Sequence, residues 1–223
     1  MDAEATSESV DTRLRVNEIF LSLQGESRTV GWPTVFVRLT GCPLRCAYCD
    51  TAYAFHEGTW MPLDEVLAAV DSYRTHHVTV SGGEPLAQRS CLPLLTALCD
   101  RGYEVSLETS GALDVCGVDS RVVRVMDLKT PGSGEEGRNR YRNLDCLSQH
   151  DQVKFVVCDR GDYEWAREQL RRRQLSERCE VLLSPAYGRL EARTLAEWIL
   201  EDRLPVRFQI QLHKLLWGET RGR

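Results

Sequence analysis

Hydrophobic and polar positions divide the chain into two kinds of segment that follow one another. Short apolar or β-branched runs predict strands, and most of them are followed by longer stretches in which apolar residues recur at helical spacing. The strands are predicted at residues 34–39, 77–80, 104–107, 122–128, 152–157, 180–183 and 207–212. The helices are predicted at residues 63–74, 90–101, 163–173 and 190–202.

Several of the predicted strands are nearly continuous apolar runs, which is typical of parallel strands covered by helices. Strands that alternate with helices predict right-handed crossovers, and therefore a barrel or an open doubly wound sheet. The chain has 223 residues, fewer than the roughly 250 of a complete eight-stranded barrel. We therefore expect an α/β fold, a partial, open TIM-type barrel of parallel strands with reduced helices.

The first residues are polar and acidic, which predicts a disordered tail at residues 1–13 before a single domain at residues 14–223. The beginning of the chain does not resemble a signal peptide, and no apolar run approaches the roughly 20 residues of a membrane span. We therefore expect a cytoplasmic protein with no membrane partner. The net charge of −5 argues against nucleic acid as a partner, because binding to phosphates depends on Lys and Arg.

Unusual residues cluster just after the predicted strands, at residues 41–51, 81–85, 109–111 and 129–134. In barrels and open α/β sheets, ligands bind at the carboxyl ends of the strands. These four segments are therefore expected to form one functional rim.

Three of the nine cysteines, Cys42, Cys46 and Cys49, lie within eight residues of one another. Such a loop lets thiolates converge on an iron–sulfur cluster, in which a fourth iron would stay open for a ligand. Zinc is the alternative, with His56 as the nearest candidate for a fourth ligand. The odd number of cysteines argues against a closed set of disulfides. We expect small buried apolar side chains at the other six, Cys91, Cys99, Cys116, Cys146, Cys158 and Cys179.

The cysteine spacing, C-x3-C-x2-C with Tyr48 before the last Cys, resembles the radical S-adenosylmethionine superfamily. In that superfamily the methionine moiety chelates the open iron, and reduction cleaves its C–S bond to give a carbon radical. The sequence SGGEP at residues 81–85 resembles the element whose backbone holds the methionine amino group. Paired glycines suit this role because they let a backbone approach a ligand closely.

The segments around these motifs narrow the resemblance to one family within the superfamily. NEIFLSLQGE at residues 17–26, FVRLTGC at 36–42, CDT at 49–51, ETSG at 108–111 and QLHK at 211–214 resemble the 7-carboxy-7-deazaguanine synthase family. The resemblance extends from about residue 16 to residue 217. It implies conversion of 6-carboxy-5,6,7,8-tetrahydropterin to 7-carboxy-7-deazaguanine with loss of ammonia, on the route to queuosine-type deazapurines. It also implies a homodimer, a [4Fe–4S] cluster, S-adenosylmethionine, Mg2+ and an electron-donor protein such as flavodoxin or ferredoxin.

The resemblance assigns roles to individual residues. Arg38 would hold the substrate carboxylate, which suits its planar fork of donors, and the hydroxyl of Thr51 would bind Mg2+. The cluster ligands would be Cys42, Cys46 and Cys49. The other substrate contacts would be Leu23, Gln24, Gly25 and Ser81, and the S-adenosylmethionine contacts would be Tyr48, Cys49, Asp50, Gly83, Asp127, Leu128, Lys129, Ser184, Pro185, Ala186 and Tyr187.

The chain departs from the family pattern at two places. Asp127-Leu128-Lys129 stands where relatives often carry Ser-Pro-Lys, and the chain after Lys214 contains no substrate-binding proline. A glycyl-radical activase is the rival enzyme, since it shares the cysteine triplet. A zinc or iron–sulfur carrier without catalysis is the rival outside enzymes.

Overall fold

The protein, described here by a computed structural model, is built on one open sheet. The structure describes residues 12–223, so all but the last two residues of the predicted tail lie outside the described part. Nine strands are arranged in the order β3-β1-β2-β4-β5-β6-β7-β8-β9. Their bounds are β1 Arg13–Leu23, β2 Pro33–Leu39, β3 Thr59–Pro62, β4 His77–Gly82, β5 Glu104–Thr109, β6 Val123–Asp127, β7 Gln152–Val157, β8 Glu180–Pro185 and β9 Arg207–Phe208.

Strand β1 runs antiparallel to both β2 and β3, whereas all the neighbouring pairs from β2 to β9 are parallel. The sheet does not close, because β3 and β9 form its two edges. The expectation of a partial, open TIM-type barrel is therefore confirmed. An antiparallel hairpin was not expected, and it extends the parallel sheet on the side of β2.

The α-helices cover only some of the crossovers. Their bounds are α1 Leu63–Asp71, α2 Cys91–Asp100, α3 Arg160–Arg172, α4 Leu175–Arg178, α5 Ala192–Asp202 and α6 Leu212–Trp217. The connection from β5 to β6 is a loop. The connection from β6 to β7 contains the 3-10 helices Pro131–Ser133, Glu136–Arg138 and Tyr141–Cys146, so these two crossovers lack an α-helix. Two more 3-10 helices, Ala52–Phe55 and Pro85–Ala87, follow β2 and β4.

The sequence reading located the seven parallel strands but missed β1 and β3. Strand β1 begins at Arg13, the last residue of the predicted tail, and its sequence mixes charged with apolar positions. The predicted strand at residues 207–212 was wrong beyond Phe208. The Gln209 side chain instead accepts from Ser27 N–H at 2.6 Å and donates to Ser27 O at 2.7 Å. Leu212 N–H donates to Gly25 O and begins α6.

Local signals explain where the helices begin and end. Helix α1 carries Asp64 and Glu65 in its first turn and buries Val66, Leu67 and Val70, as the apolar stripe predicts. It ends at Asp71, before the predicted residue 74, and Arg74 has a left-handed backbone with φ of 53°. Helix α3 begins earlier than predicted because the Asp159 side chain caps it, accepting from Asp162 N–H at 3.0 Å.

Two large apolar clusters form most of the core, and a small third one consists of Val156, Cys158 and Ala186. The first packs α1 and α2 against β1, β2, β4 and β5, and the second packs α3, α4 and α5 against β6, β7 and β8. Both leave the carboxyl ends of the parallel strands uncovered. No helix in the described part of the chain is long and apolar enough to cross a membrane.

Candidate active site

A cavity of about 500 Å³ opens at the carboxyl ends of the parallel strands. All four segments expected at the rim contribute to this cavity or to its support. Most of the residues predicted from the sequence line it: Leu23, Gln24, Gly25, Arg38, Cys42, Cys46, Tyr48, Cys49, Asp50, Thr51, Ser81, Gly83, Asp127, Lys129, Ala186 and Tyr187.

Three of the predicted cofactor contacts lie behind the cavity wall. Leu128 is fully buried in the second apolar cluster, and its N–H donates to Lys154 O at 2.9 Å. Ser184 and Pro185 are buried at the end of β8, where the Ser184 hydroxyl makes no hydrogen bond within the described chain. The side chains of Leu128, Ser184 and Pro185 therefore do not line the cavity.

The cysteine loop follows β2 and carries Cys42, Cys46 and Cys49 on the cavity wall, all half-buried. Burial raises the pKa of Cys46 to about 11 and also raises that of Cys42. The protein alone therefore disfavours these thiolates, and a bound cation would stabilise them. The loop is anchored by Ala47 N–H, which donates to Ser133 O at 2.9 Å.

A closed single-metal site is not formed by these residues. His56, the candidate fourth zinc ligand, is exposed and does not line the cavity. Across residues 12–223, no group of three or more His, Cys, Asp or Glu side chains is placed to hold a metal ion. Three cysteines on a cavity wall are the donor set of a cluster with one open iron rather than of tetrahedral zinc.

The paired glycines at the end of β4, Gly82 and Gly83, bring the backbone against the cysteine loop. A Cβ on Gly83 would lie 2.3 Å from Gly41 O and 2.7 Å from the Cβ of Cys42. Gly83 N–H donates to Leu39 O at 3.2 Å, and Glu84 N–H donates to Gly41 O at 2.8 Å. The close approach explains physically why glycine stands here.

Glu84 fixes this arrangement from inside the protein. It is fully buried and accepts from Thr109 Oγ1 at 2.9 Å, from Ser110 N–H at 2.8 Å and from Ser110 Oγ at 2.5 Å. Leu86 N–H donates to its other oxygen at 3.1 Å. Glu84 therefore ties the ends of β4 and β5 together and does not face a ligand.

Arg38 lies at the end of β2, with its side chain 15% exposed. Its Nε donates to Glu18 Oε1 at 2.7 Å, and Tyr53 Oη donates to the same oxygen at 2.9 Å. The two terminal nitrogens of Arg38 make no hydrogen bond within residues 12–223, although Arg38 lines the cavity. Glu18 and Tyr53 therefore orient the guanidinium group and leave its outer donors for a ligand.

Glu26, Glu108 and Lys154 form an ionic cluster on the cavity wall, which the sequence reading did not single out. Lys154 pairs with Glu26, while Glu108 accepts from Ser81 Oγ at 3.0 Å. Burial raises the pKa of Glu108, and the nearby Glu26 raises it further. The signal in the sequence was a lysine inside the apolar run of β7, since buried charges need partners.

Two buried polar atoms on the cavity wall lack a protein partner. Lys129 Nζ donates to Asp127 Oδ2 at 2.8 Å, which leaves Asp127 Oδ1 and Tyr48 Oη without a hydrogen bond in the described structure. Buried polar atoms are rarely left unpaired. These atoms fit a site in which a polar ligand completes the hydrogen bonding.

The C-terminal segment covers the cavity mouth. Residues 218–223 line it, and a Cβ on Gly25 would lie 2.4 Å from His213 Nδ1. Burial alone would raise the pKa of Asp50, but the nearby His213 and Lys214, whose nitrogens lie 3.9 and 3.7 Å from Asp50 Oδ2, lower it to about 2. Asp50 is therefore a carboxylate at the mouth, next to Thr51.

Comparisons with known proteins identify the family of the chain. The family model of the Radical SAM superfamily matches residues 36–127. The 7-carboxy-7-deazaguanine synthase of Chlorobaculum tepidum is 45% identical over 96% of this chain and 99% of its own length. That of Koribacter versatilis is 43% identical over 94% of this chain and 100% of its own length.

Solved structures agree as well. The crystal structure of QueE from Escherichia coli matches with a TM-score of 0.73 and 25% identity, over 90% of this chain and 95% of that chain. Streptococcus suis SuiB bound to S-adenosylmethionine matches with a TM-score of 0.52 at 14% identity, over 79% of this chain and 47% of that chain, and supports the fold alone. With relatives this similar over their full length, the chain belongs to the 7-carboxy-7-deazaguanine synthase family of the radical S-adenosylmethionine superfamily.

Proposed function

We propose that the protein converts 6-carboxy-5,6,7,8-tetrahydropterin to 7-carboxy-7-deazaguanine with loss of ammonia. The names of its relatives contain this product. The observation that carries the proposal is the convergence of three elements on one cavity. These are the cysteine loop, the Gly83 backbone and the outer donors of Arg38. A carboxylated pterin needs an anion-binding group beside the cofactor, and Arg38 supplies it.

Cys42, Cys46 and Cys49 would hold a [4Fe–4S] cluster, whose open iron would bind S-adenosylmethionine. When bound, the cluster and S-adenosylmethionine supply the reductive bond cleavage that starts the rearrangement. Asp127, Tyr48 and Lys129 face the same space, and the unpaired oxygens of Asp127 and Tyr48 would find partners in the cofactor. The proposed cofactor contacts also include Cys49, Asp50, Gly83, Ala186 and Tyr187. Leu128, Ser184 and Pro185, whose side chains lie behind the cavity wall, would contribute only backbone atoms.

The substrate would lie between the cofactor and the strands β1 and β2. Arg38 would bind its carboxylate through two parallel hydrogen bonds, while Leu23, Gln24, Gly25 and Ser81 would contact the ring. Gln24 is buried, and its Nε2 donates to Thr79 Oγ1 at 2.9 Å. Its side chain is thus held in one orientation before a ligand enters.

Mg2+ would bind through Thr51 and the substrate. A single neutral hydroxyl does not hold this ion, which usually keeps several waters and takes further ligands from an anionic substrate. The Asp50 carboxylate stands next in sequence and would add negative charge to the surroundings of the metal.

The chain also positions the substrate and excludes water. The segment at residues 218–223 lies over the mouth, where Arg221 stacks on the Tyr53 ring at 3.8 Å from its centroid. Arg221 also pairs with Glu57 at 3.0 Å. A covered mouth keeps bulk water from a reactive carbon radical, which is the main protection that such chemistry needs.

The covered cavity also bears on the rival functions. A glycyl-radical activase must admit a segment of another polypeptide, whereas this cavity is small and roofed by its own C-terminal segment. A carrier without catalysis needs no anion-binding Arg38. We further propose a cytoplasmic homodimer that receives electrons from a small protein such as flavodoxin or ferredoxin.

Cysteine variants test the proposal. Cys42→Ala, Cys46→Ala and Cys49→Ala should each lose bound iron and S-adenosylmethionine cleavage after anaerobic reconstitution. Cys179→Ala is the matched control, because Cys179 is buried in the second apolar cluster and should keep both. Normal iron content in any of the three loop variants would contradict the assignment, and so would loss of the cluster in a folded Cys179→Ala variant.

A further inference from the structure

Cys116 and Cys146 do not fit the expectation of small buried apolar side chains. They form a disulfide, with Cα atoms 5.3 Å apart and 30 residues of separation along the chain. This Cα distance is within the usual range for disulfides, so the bond needs no movement of the backbone. The sequence reading was wrong here because the two cysteines meet only through the fold.

These two cysteines are also placed differently from the other scattered ones. Cys116 is exposed in the loop between β5 and β6, and Cys146 is half-buried at the end of the 3-10 helix Tyr141–Cys146. The remaining four outside the cysteine loop are buried thiols: Cys91, Cys99, Cys158 and Cys179. Among the six cysteines outside the cysteine loop, the pair alone is therefore open to a small reagent in solution.

The surroundings of the pair carry excess positive charge. Asp114 accepts from Arg140 Nη2 at 2.8 Å and from Arg142 Nη2 at 3.2 Å, so two guanidinium groups face one carboxylate. Cys116 N–H donates to Asp114 Oδ1 at 2.9 Å, which places the backbone of Cys116 beside this group. Partly exposed cysteines near basic side chains are the ones that react by thiol exchange.

The bond joins the β5–β6 loop, which follows the cavity residues Thr109 and Ser110, to the 3-10 helix Tyr141–Cys146. Both segments lie behind the cavity wall rather than in it. Asn143 Nδ2 donates to Gly111 O at 2.9 Å and to Leu113 O at 2.7 Å, which attaches the 3-10 helix to the β5–β6 loop. Just before this helix, Asn139 exchanges hydrogen bonds of 2.9 and 2.8 Å with the backbone of Lys129. A cross-link at Cys146 thus restrains the segment that holds Lys129 at the cavity.

We propose that Cys116 and Cys146 are a reversible dithiol–disulfide site, closed by a low-molecular-weight disulfide such as oxidised glutathione, that fastens the 3-10 helix to the β5–β6 loop. One cysteine thiolate attacks oxidised glutathione, giving a mixed disulfide and one released glutathione thiol. The second cysteine then attacks the protein sulfur of that mixed disulfide and releases the second glutathione. Two protein thiols are oxidised, one glutathione disulfide is reduced to two thiols, and the two protons leave with them.

The site goes beyond the proposed reaction, because it needs neither substrate nor cofactor turnover. Disulfides of proteins in reducing compartments are usually transient and respond to the redox state. The expected behaviour is a dithiol under reducing conditions and a disulfide when the glutathione pool becomes oxidised. Closing a loop of this length also removes conformational freedom from the opened state, which stabilises the local structure.

The test equilibrates the anaerobically reconstituted protein with mixtures of reduced and oxidised glutathione, followed by acid quenching, alkylation and peptide mass analysis. The expected result is a Cys116–Cys146 cross-linked peptide that appears at oxidising ratios and disappears when reduced glutathione is restored. The absorbance of the cluster is followed in parallel. The cross-link is evaluated only at glutathione ratios that leave the cluster intact. No cross-link at any such ratio, or a mixture of pairings with the buried cysteines, would overturn the proposal.

Amide hydrogen exchange measures whether the disulfide restrains the 3-10 helix. In the oxidised protein, exchange in the 3-10 helix Tyr141–Cys146 should slow by at least about tenfold relative to the reduced protein. Cys116→Ser and Cys146→Ser should each exchange like the reduced wild type at every glutathione ratio. Equal exchange in the oxidised and reduced wild type would refute the fastening role, whatever the cross-link analysis finds.

Discussion

Replacing Gly83 by alanine perturbs the contact between the strand end and the cysteine loop by one methyl group. The added Cβ would lie 2.3 Å from Gly41 O, whereas ordinary contact begins near 3.4 Å. The neighbouring atoms are backbone and the Cβ of Cys42, so no flexible side chain can move aside. The clash between the added Cβ and Gly41 O can therefore be relieved only if the end of β4 and the cysteine loop separate by about 1 Å.

The magnitude follows from the bonds that such a separation stretches. Glu84 N–H donates to Gly41 O at 2.8 Å and Gly83 N–H donates to Leu39 O at 3.2 Å, and at least one of these bonds would break. A lost hydrogen bond costs about 0.5–1.5 kcal/mol and overpacking costs about 1–3 kcal/mol. Gly83→Ala should therefore lose roughly 2–4 kcal/mol of unfolding free energy. A displacement of about 1 Å at the cofactor can reduce turnover by about 100-fold.

Denaturant unfolding measures the stability, and S-adenosylmethionine cleavage by the anaerobically reconstituted protein measures the effect on the site. Gly137→Ala is the matched control, because a Cβ there meets nothing within 4 Å and its backbone angle is not positive. It should resemble the wild type in both measurements. If Gly83→Ala proved equal to Gly137→Ala in stability and in cleavage, the argument from close approach would be refuted.

Three further variants test other parts of the site. Arg38→Lys keeps the charge but loses the paired donors, so substrate affinity should fall by roughly 10- to 100-fold in titrations while S-adenosylmethionine affinity stays unchanged; equal weakening of both ligands would contradict the assigned role. Thr51→Val should abolish most of the increase in substrate affinity that Mg2+ causes, but leave the iron content intact. If substrate affinity in this variant still responded fully to Mg2+, Thr51 would not be a ligand of the metal. Lys154→Met leaves Glu26 and Glu108 without their cation, so unfolding free energy should fall by about 3–5 kcal/mol. Adding Glu26→Gln should recover part of that loss, and no recovery would show that the charges do not couple.

The parallel strands and the cavity residues could be predicted from the sequence because their signals are local. A buried parallel strand appears as an apolar run, and the residues that follow it lie at the rim. The cysteine loop and SGGEP follow such runs, so their convergence could be predicted. The ends of elements are harder to predict. The start of helix α3, for example, depends on the Asp159 cap rather than on the apolar stripe.

Long-range contacts were beyond the sequence reading. Glu18 meets Arg38 because β1 pairs antiparallel with β2 and places the two residues opposite each other, and the first residue of β1 falls in the predicted tail. Tyr53 reaches the same Glu18 oxygen from the 3-10 helix Ala52–Phe55. Strand β9 has only two residues, and just beyond it the Gln209 side chain bonds to Ser27, 182 positions away. The pairing of Cys116 with Cys146 depends in the same way on two loops that the sheet brings together.

The most direct measurement of the central claim is the mass of the product from anaerobic turnover. The reconstituted protein is incubated with a reductant, S-adenosylmethionine, Mg2+ and 6-carboxy-5,6,7,8-tetrahydropterin, and the products are separated and weighed by mass spectrometry. The account predicts 7-carboxy-7-deazaguanine, with a mass lower than the substrate by the elements of ammonia, and none when S-adenosylmethionine is omitted. Protein that carries a full cluster and cleaves S-adenosylmethionine, yet leaves the pterin unchanged, would contradict the proposed function.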